Sequence, residues 1–171
     1  MIRAETSGDY NVIHEINTAA FGREDEAQLI ESLRGLPDFD PELSLVAEPN
    51  GWPVGHIMFF PVNVVSENGD SHKVLSLCPM AVLPEHQRRG VGGMMVREGL
   101  KVAADKGHNG VIVQCNGDYY PRFGFLPAKI FSIQYPVKVP PGTFLAIELG
   151  EGGLAGCNGT VRYPDVFGIN S

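Results

Sequence analysis

The sequence predicts a mixed α and β domain with a mixed sheet. Segments with apolar residues at helical spacing alternate with short apolar segments that are bounded by turn formers. Gly (21 residues) and Pro (13 residues) are frequent, which is typical of many turns between short elements rather than of a helical bundle. A length of 171 residues with 43% hydrophobic and 19% charged residues is enough for one packed core.

Two segments near the amino terminus have the apolar spacing of helices. The first runs from about Gly8 to Ala20, and the second runs from Glu24 to Arg34, with Gly35 placed to end it. Three strands follow, and the turn formers between them favour an antiparallel meander: Leu43–Glu48, Val54–Phe60 and Lys73–Val82.

Helical spacing returns over Gly90–Lys106, and Gly107 is placed to cap this helix. A short apolar strand at Val111–Cys115 follows, so strand, helix and strand form a crossover that pairs its two strands in parallel. The sheet is therefore predicted to be mixed. Beyond this unit, strands are predicted at Ile130–Tyr135 and Thr143–Leu149, while the docking of Thr160–Tyr163 is left open.

Charge and cysteine content argue against several classes of protein. The net charge is −7 and there is no cluster of Lys and Arg beyond one adjacent arginine pair, which disfavours nucleic-acid and anionic-membrane binding. Cys78, Cys115 and Cys157 form no C-x-x-C pair, so reduced thiols are expected rather than a disulfide framework or a zinc site. No apolar run reaches the roughly 18 residues of a membrane span, and Met1–Tyr10 carries charges where a signal peptide is apolar. We therefore expect a cytoplasmic protein.

The segment Met80–Gly93 (MAVLPEHQRRGVGG) is the most informative, because an apolar strand ends there and a glycine-rich helix begins. Its glycines let backbone N–H groups approach a ligand closely, and a helix N-terminus favours negative charge. The adjacent Arg88 and Arg89 are unfavourable beside the positive end of a helix dipole unless an anion is bound. The pattern predicts a phosphate-binding cradle; an ordinary solvated loop is the alternative. The spacing of a P-loop or of a dinucleotide-binding fingerprint is absent.

Gln87–Gly92 resembles the acetyl-CoA loop of the GNAT superfamily of N-acetyltransferases, Gln/Arg-x-x-Gly-x-Gly/Ala, at every defined position. Tyr120–Phe125 (YPRFGF) is similar to the Tyr-x-x-x-Gly-Phe element of the same superfamily. Further segments resemble the YhbS-like predicted acetyltransferases, so that the resemblance extends over roughly residues 43–167. Where that family often has Gly-Asp-Pro before the tyrosine pair, this chain has Cys115–Asp118 (CNGD). The segments that carry the YhbS-like resemblance are Ser44–Glu48, Val54–Ile57, Tyr119–Tyr120 with Arg122–Phe125, and Val161–Pro164.

The resemblance implies a GNAT-type α/β (α+β) fold. In that fold a mixed, mostly antiparallel central sheet has helices on both faces and a splay between its fourth and fifth strands. We expect residues 1–150 to form the acetyltransferase domain and residues 151–171 to form a tail docked on it.

Acetyl-CoA is the cosubstrate that the resemblance implies, without a metal. The backbone of the fourth strand would pair with the pantetheine arm, and the N–H groups of the loop and helix start would bind the pyrophosphate. The arginine side chains would add charge-assisted hydrogen bonds to the phosphates. The cofactor-binding residues carried over in this way are Met80, Ala81, Val82, Gln87, Arg88, Arg89, Gly90, Val91, Gly92 and Gly93.

Tyr120 aligns with the superfamily tyrosine and is the expected general acid. A phenol with a pKa of about 10 is protonated at pH 7 and close in pKa to a thiol of about 8.5, so proton transfer to the departing thiolate is feasible. The alternative is that Tyr120 is one more core aromatic. The family geometry also implies that a backbone N–H near Val82 binds the developing oxyanion.

The general base is left open by the sequence, with His56, Asp118 and an ordered water as candidates. For His56 the alternative is a hydrogen-bonded strand histidine. His86, Cys78 and Tyr119 are expected to be a solvated side chain, a packing residue and a packing residue, respectively.

Together these observations predict an acetyl-CoA-dependent N-acetyltransferase that acts on a primary amine of an unidentified small molecule or of a peptide or protein. Direct attack in a ternary complex is expected, and the first two helices with the loop around Pro37–Pro41 are expected to line the acceptor side. No nucleic acid or membrane partner is expected. A homodimer is suggested by the family resemblance alone. A non-catalytic acyl-CoA sensor is the alternative function.

Overall fold

The computed structural model describes residues 1–116 and 118–169. The helices are α1 (Tyr10–Phe21), α2 (Asp25–Arg34) and α3 (Val91–Asp105). The strands are β1 (Ile2–Ala4), β2 (Ser44–Ala47), β3 (Gly55–Val65), β4 (Ser71–Val82), β5 (Gly110–Gln114), β6 (Leu126–Pro127), β7 (Ile133–Gln134), β8 (Phe144–Glu148) and β9 (Gly159–Arg162). None of the helices in these ranges is long and apolar enough to cross a membrane.

The chain divides into two compact units, and strands β3 and β4 each run through both. The first unit comprises Met1–Phe60 and Leu77–Val102. In it β1 is antiparallel to β2, β2 is antiparallel to β3, and β3 neighbours β4. Its core is formed by apolar side chains of the strands and helices, among them Ile13, Ile16, Ile30, Leu33, Leu43, Ile57, Met58, Phe59 and Met95.

The second unit comprises Pro61–Ser76 and the chain from Ala103 onward. Here β4 pairs in parallel with β5, β8 is antiparallel to β5 and to β6, and β9 is antiparallel to β3 and parallel to β7. The strand pairs are thus mostly antiparallel, and the predicted mixed fold is confirmed. Its hydrophobic core includes Val62, Val64, Val74, Ile112, Ile133, Ala146, Leu154, Val161 and Tyr163.

The register between β4 and β5 is short. It pairs Leu75 with Val111 and Ser76 with Ile112. Strand β4 continues to Val82 beyond this register, in the first unit. The pattern agrees with the splay between the fourth and fifth strands that the sequence resemblance implies.

In the first unit, α3 packs closely on β3 because glycines lie at two of their contacts. A Cβ atom at Gly99 would overlap the ring of Phe59, and a Cβ at Gly55 would lie 2.9 Å from the terminal methyl of Met95. Glycine at these two positions lets the backbones approach closely. These contacts hold α3 against β3 from Met95 to Gly99.

The predicted helices and most predicted strands are confirmed within a few residues, but the strand expected at Ile130–Tyr135 is wrong in most of its length. A 3-10 turn covers Ala128–Phe131, and Ser132 has a left-handed φ of 59°, which leaves only the two-residue strand β7. Strand β3 runs on to Val65, and β1 was not predicted because three residues are too few to show a period. The tail contributes β9; the domain boundary at residue 150 stays a prediction.

Candidate active site

The predicted cradle lies between the end of β4 and the start of α3. Leu83 N–H donates to the carbonyl of Val54 (2.8 Å), which attaches the exit of β4 to the beginning of the β3 segment. A 3-10 turn over Pro84–His86 follows, and the His86 N–H donates to the carbonyl of Leu83 (2.8 Å). The loop is therefore anchored by backbone hydrogen bonds at the point where it leaves the strand.

Gln87 fixes the next part of the loop through its side chain. Its amide nitrogen Nε2 donates to the carbonyl oxygen of Val82 over 2.9 Å. The bond returns the loop to the last residue of β4. The structure thus gives Gln87 a contact with the strand, which the motif alone did not predict.

Two left-handed residues shape the cradle, Arg88 with a φ of 63° and Gly90 with a φ of 84°. Successive backbone N–H groups in a turn conformation form a concavity that binds anions. For a non-glycine residue such as Arg88 the left-handed conformation costs roughly 1–2 kcal/mol. Arg88 therefore holds local backbone strain in the loop that leads into α3.

The start of α3 adds further donors. The N–H of Met94 donates to the carbonyl of Gly90 (3.1 Å), as the first turn of a helix requires. The N–H groups of Val91, Gly92 and Gly93 come before this bond in the chain and therefore belong to the helix-start donors that lack an intrahelical acceptor. Together with the helix dipole, they favour an anion.

All ten residues that the sequence predicted for cofactor binding belong to the first unit. Gln87, Arg88, Arg89 and Gly90 are exposed, so this stretch of the loop is open to a ligand. The side chains of Ala81, Val82 and Val91 are buried, so these residues offer a ligand their backbone. Gly92 and Gly93 are half-buried, as is Met80 on β4.

Tyr120 belongs to the second unit, at the start of the 3-10 helix Tyr120–Phe123, and is 8% exposed. Its ring packs edge-on against Tyr119, with centroids 5.2 Å apart, and against Phe125, with centroids 5.5 Å apart. The guanidinium of Arg122 lies 4.5 Å from the centroid of the Tyr119 ring. These contacts fix the orientation of the Tyr120 ring. They also agree with Tyr119 as a packing residue.

His56 is fully buried on β3 and does not reach solvent. Its Nε2 lies 2.9 Å from Ser44 Oγ and its Nδ1 lies 3.3 Å from Asn17 Nδ2, so both ring nitrogens have partners. Burial, and then the positive charge of Arg34, lowers the pKa of His56 to about 3. The structure thus favours the alternative of a hydrogen-bonded strand histidine over a base that meets an acceptor.

The remaining predicted side chains differ in exposure. Asp118 is exposed, and the preceding Gly117 lies outside the described residues. His86 is half-buried. Burial raises the pKa of the Cys78 thiol, so the thiol stays protonated at neutral pH and is suited to packing rather than to nucleophilic attack. In residues 1–116 and 118–169, no three His, Cys, Asp or Glu side chains come together as a metal site would require.

Comparison with known proteins identifies the family. The model of the Acetyltransferase (GNAT) family matches residues 10–125. The chain belongs to the GNAT acetyltransferase family. The acyltransferase class and the GNAT-type fold that the sequence predicts are thereby confirmed.

Curated relatives of this GNAT chain come from Escherichia coli. The "Uncharacterized N-acetyltransferase YjhQ" of strain K12 is 39% identical over 132 residues, which cover 75% of this chain and 72% of YjhQ. The "Uncharacterized N-acetyltransferase YhbS" of the same strain is 28% identical over 168 residues, which cover 98% of each chain. The resemblance to YhbS-like acetyltransferases that the sequence showed is confirmed.

Two solved structures resemble the chain over 98% of its length. YhbS from Escherichia coli in complex with CoA superimposes with a TM-score of 0.85 at 28% identity and is covered over 91% of its chain. A GNAT family acetyltransferase from Brucella melitensis in complex with acetyl-CoA superimposes with a TM-score of 0.78 at 30% identity and is covered over 97% of its chain. CoA and acetyl-CoA are thus ligands of two structural neighbours.

Proposed function

We propose that this chain transfers the acetyl group of acetyl-CoA to a primary amine of a small molecule or of a peptide or protein. The observation that carries the proposal is the exposed loop Gln87–Gly90 with left-handed Arg88 and Gly90, which leads directly into the N-terminus of α3. Family membership and the acetyl-CoA complex of the neighbour from Brucella melitensis support the choice of cosubstrate.

The residues of the cradle fit the pyrophosphate of acetyl-CoA. Backbone N–H groups of Arg88–Gly93 would bind it, and the exposed Arg88 and Arg89 side chains would donate charge-assisted hydrogen bonds to phosphate oxygens. Gln87 would act indirectly, because its bond to Val82 holds the loop against β4. The backbone of Met80–Val82 lies beyond the β4–β5 register and would accompany the pantetheine arm.

The proposed reaction is direct attack in a ternary complex. The amine nitrogen forms a bond to the carbonyl carbon, the negative charge on the carbonyl oxygen is bound by the N–H of Val82, and the carbon–sulfur bond then breaks. Tyr120 gives its phenol proton to the departing thiolate, since an ordinary phenol and a thiol are close in proton affinity. The amine loses its own proton to a base. Asp118 and an ordered water are the remaining candidates, because His56 is fully buried.

Tyr120→Phe tests the assignment of the acid because it removes one oxygen and leaves the aromatic packing intact. We expect kcat for acetyl transfer across a panel of primary amines to fall about 100-fold or more, as expected for loss of a general acid. The dissociation constant for acetyl-CoA should stay unchanged. Release of CoA thiol measures the rate, and Tyr119→Phe is the matched control, whose rate should remain near that of the wild type.

The same experiment separates the enzyme from the alternative of an acyl-CoA sensor. A sensor would bind acetyl-CoA tightly and show no turnover in either the wild type or Tyr120→Phe with any amine. Activity in the wild type that survives unchanged in Tyr120→Phe would instead remove Tyr120 from the mechanism. The cytoplasmic compartment and a homodimer stay predictions, and the acceptor is to be identified by the amine panel.

A further inference from the structure

A set of polar side chains is enclosed in the first unit, apart from the predicted cradle. Asn17, Ser44 and His56 are 0% exposed and Glu5 is 5% exposed, while the side chain of Arg34 is 10% exposed. These residues come from separate elements: Glu5 follows β1, Asn17 is on α1, Arg34 ends α2, Ser44 begins β2, and His56 is on β3. Burying a polar group costs free energy unless the group is hydrogen-bonded, so we expect these side chains to pair with one another.

The side chains form one continuous chain of hydrogen bonds. Arg34 donates from Nε to Glu5 Oε2 (2.9 Å) and from Nη2 to Glu5 Oε1 (3.1 Å), and Ser44 Oγ donates to the same Oε1. His56 Nε2 lies 2.9 Å from Ser44 Oγ. Asn17 Nδ2 lies 3.3 Å from His56 Nδ1 and donates to the carbonyl of Ile13 over 3.0 Å.

The chemistry of the two ends determines where each proton lies. A carboxylate that is paired with a guanidinium only accepts, so the Ser44 hydroxyl gives its proton to Glu5 and must itself accept from His56 Nε2–H. At the other end, the carbonyl of Ile13 only accepts, so the amide nitrogen of Asn17 faces it and also donates to His56 Nδ1. His56 therefore carries its proton on Nε2.

This proton order rules out a hydrolytic triad, which Ser44, His56 and Glu5 suggest by their identities. In a triad the imidazole accepts the serine proton, and the carboxylate holds the other ring nitrogen. Here the imidazole donates to the serine, the carboxylate contacts the serine, and an amide occupies the other nitrogen. The histidine and serine are also closed to solvent.

We propose that His56, neutral and protonated on Nε2, is a positioning residue that ties α1 and α2 to the strands β2 and β3. Through Nδ1 it holds Asn17 of α1, and through Nε2 it holds Ser44, Glu5 and thereby Arg34 at the end of α2. A neutral imidazole keeps the set charge-balanced, because Arg34 and Glu5 cancel and are the charged groups that face it. An effect of His56 on acceptor binding beside α1 and α2 rests on the proposed function.

Nitrogen-15 NMR of the histidine side chains tests the proton order in the intact protein. His56→Gln identifies the His56 resonances by their loss. We expect an unprotonated Nδ1 and a protonated Nε2 whose shifts are constant between pH 7.5 and pH 5. A His56 that titrates near pH 6.5, or one protonated on Nδ1, would overturn the proposal.

Two conservative variants separate the two ends of the link. In His56→Gln the side-chain amide reaches the place of Nε2 and keeps the donor to Ser44, whereas His56→Asn places an oxygen near Nδ1 and keeps the acceptor for Asn17. We expect hydrogen exchange of α1 amides to rise about tenfold in His56→Gln and to rise less in His56→Asn, since His56→Gln loses the buried hydrogen bond to Asn17 and His56→Asn keeps it. His72→Asn, at an exposed position on β4, is the control.

Equal acceleration of α1 exchange in both His56 variants would contradict a directed link and leave only a general packing role. Acetyl-CoA binding provides an independent reading, because the cradle residues take no part in the hydrogen-bond chain. If the wild type fails to bind acetyl-CoA, the proposed function is lost, but the NMR and exchange results still decide the role of His56.

Discussion

Arg88 is a residue whose backbone conformation opposes its identity. Its φ of 63° is one that glycine adopts without strain, yet the position carries a long cationic side chain beside a helix N-terminus. Both features are locally unfavourable without an anion. A ligand that accepts hydrogen bonds from the backbone and the guanidinium offsets both, which is the residue-level reason to place a phosphate there.

Arg88→Gly should therefore separate stability from binding. Glycine adopts this φ without strain, so the free energy of unfolding should rise by up to about 1 kcal/mol. Loss of the cation should weaken acetyl-CoA binding. Ser132→Gly is the matched control, since Ser132 has a φ of 59° in the second unit. It should stabilise to a similar extent without changing the dissociation constant, as measured by thermal denaturation and calorimetry. Stabilisation with unchanged affinity in Arg88→Gly would contradict a phosphate contact.

At the scale of elements, α3 has to lie in a precise place because it presents the cradle. Gly99 faces the ring of Phe59 with no room for a methyl group, so the helix approaches β3 more closely than any other residue at position 99 allows. Alanine is the better helix former by about 1 kcal/mol, and a glycine in the middle of α3 therefore indicates that packing outweighs propensity.

Gly99→Ala is expected to lower the free energy of unfolding by roughly 1–3 kcal/mol, as overpacking does, in spite of its helix propensity. Phe59→Leu makes room for the methyl group, so the double variant should be more stable than the sum of the single changes predicts. Urea denaturation measures all three proteins. A stabilised Gly99→Ala, or strict additivity with Phe59→Leu, would show that α3 does not rest on Phe59.

Elements with a local signal were predictable, and those made by distant pairing were not. The three helices have apolar periods of their own, and the cradle is a contiguous motif. In contrast, β7 has only two residues, and its partner β9 lies in the tail. The hydrogen-bond chain from Asn17 through His56 to Arg34 joins residues of separate helices and strands. No single segment of the sequence carries its pattern. The one sign of this hydrogen-bond chain in the sequence was a histidine, His56, inside an apolar strand.

For the whole molecule, a net charge of −7 opposes binding of a polyanion at long range. Recognition of acetyl-CoA must then come from the local donors of the cradle rather than from the overall field. The family match and the two CoA-bound neighbours agree with such a site. We therefore propose that the loop into α3 binds the pyrophosphate.

Calorimetric titration of acetyl-CoA, CoA and ADP into the wild type and Gly90→Glu tests whether this loop binds the pyrophosphate. The matched control is Gly107→Glu, because Gly107 has a φ of 87°, also has open space around its Cβ, and follows α3 instead of preceding it. We predict binding to the wild type and to Gly107→Glu, a stabilisation of about 2.7 kcal/mol at 100 times the dissociation constant, and no binding to a folded Gly90→Glu. Equal binding to Gly90→Glu, or no heat and no thermal shift with the wild type, would contradict pyrophosphate binding at this loop.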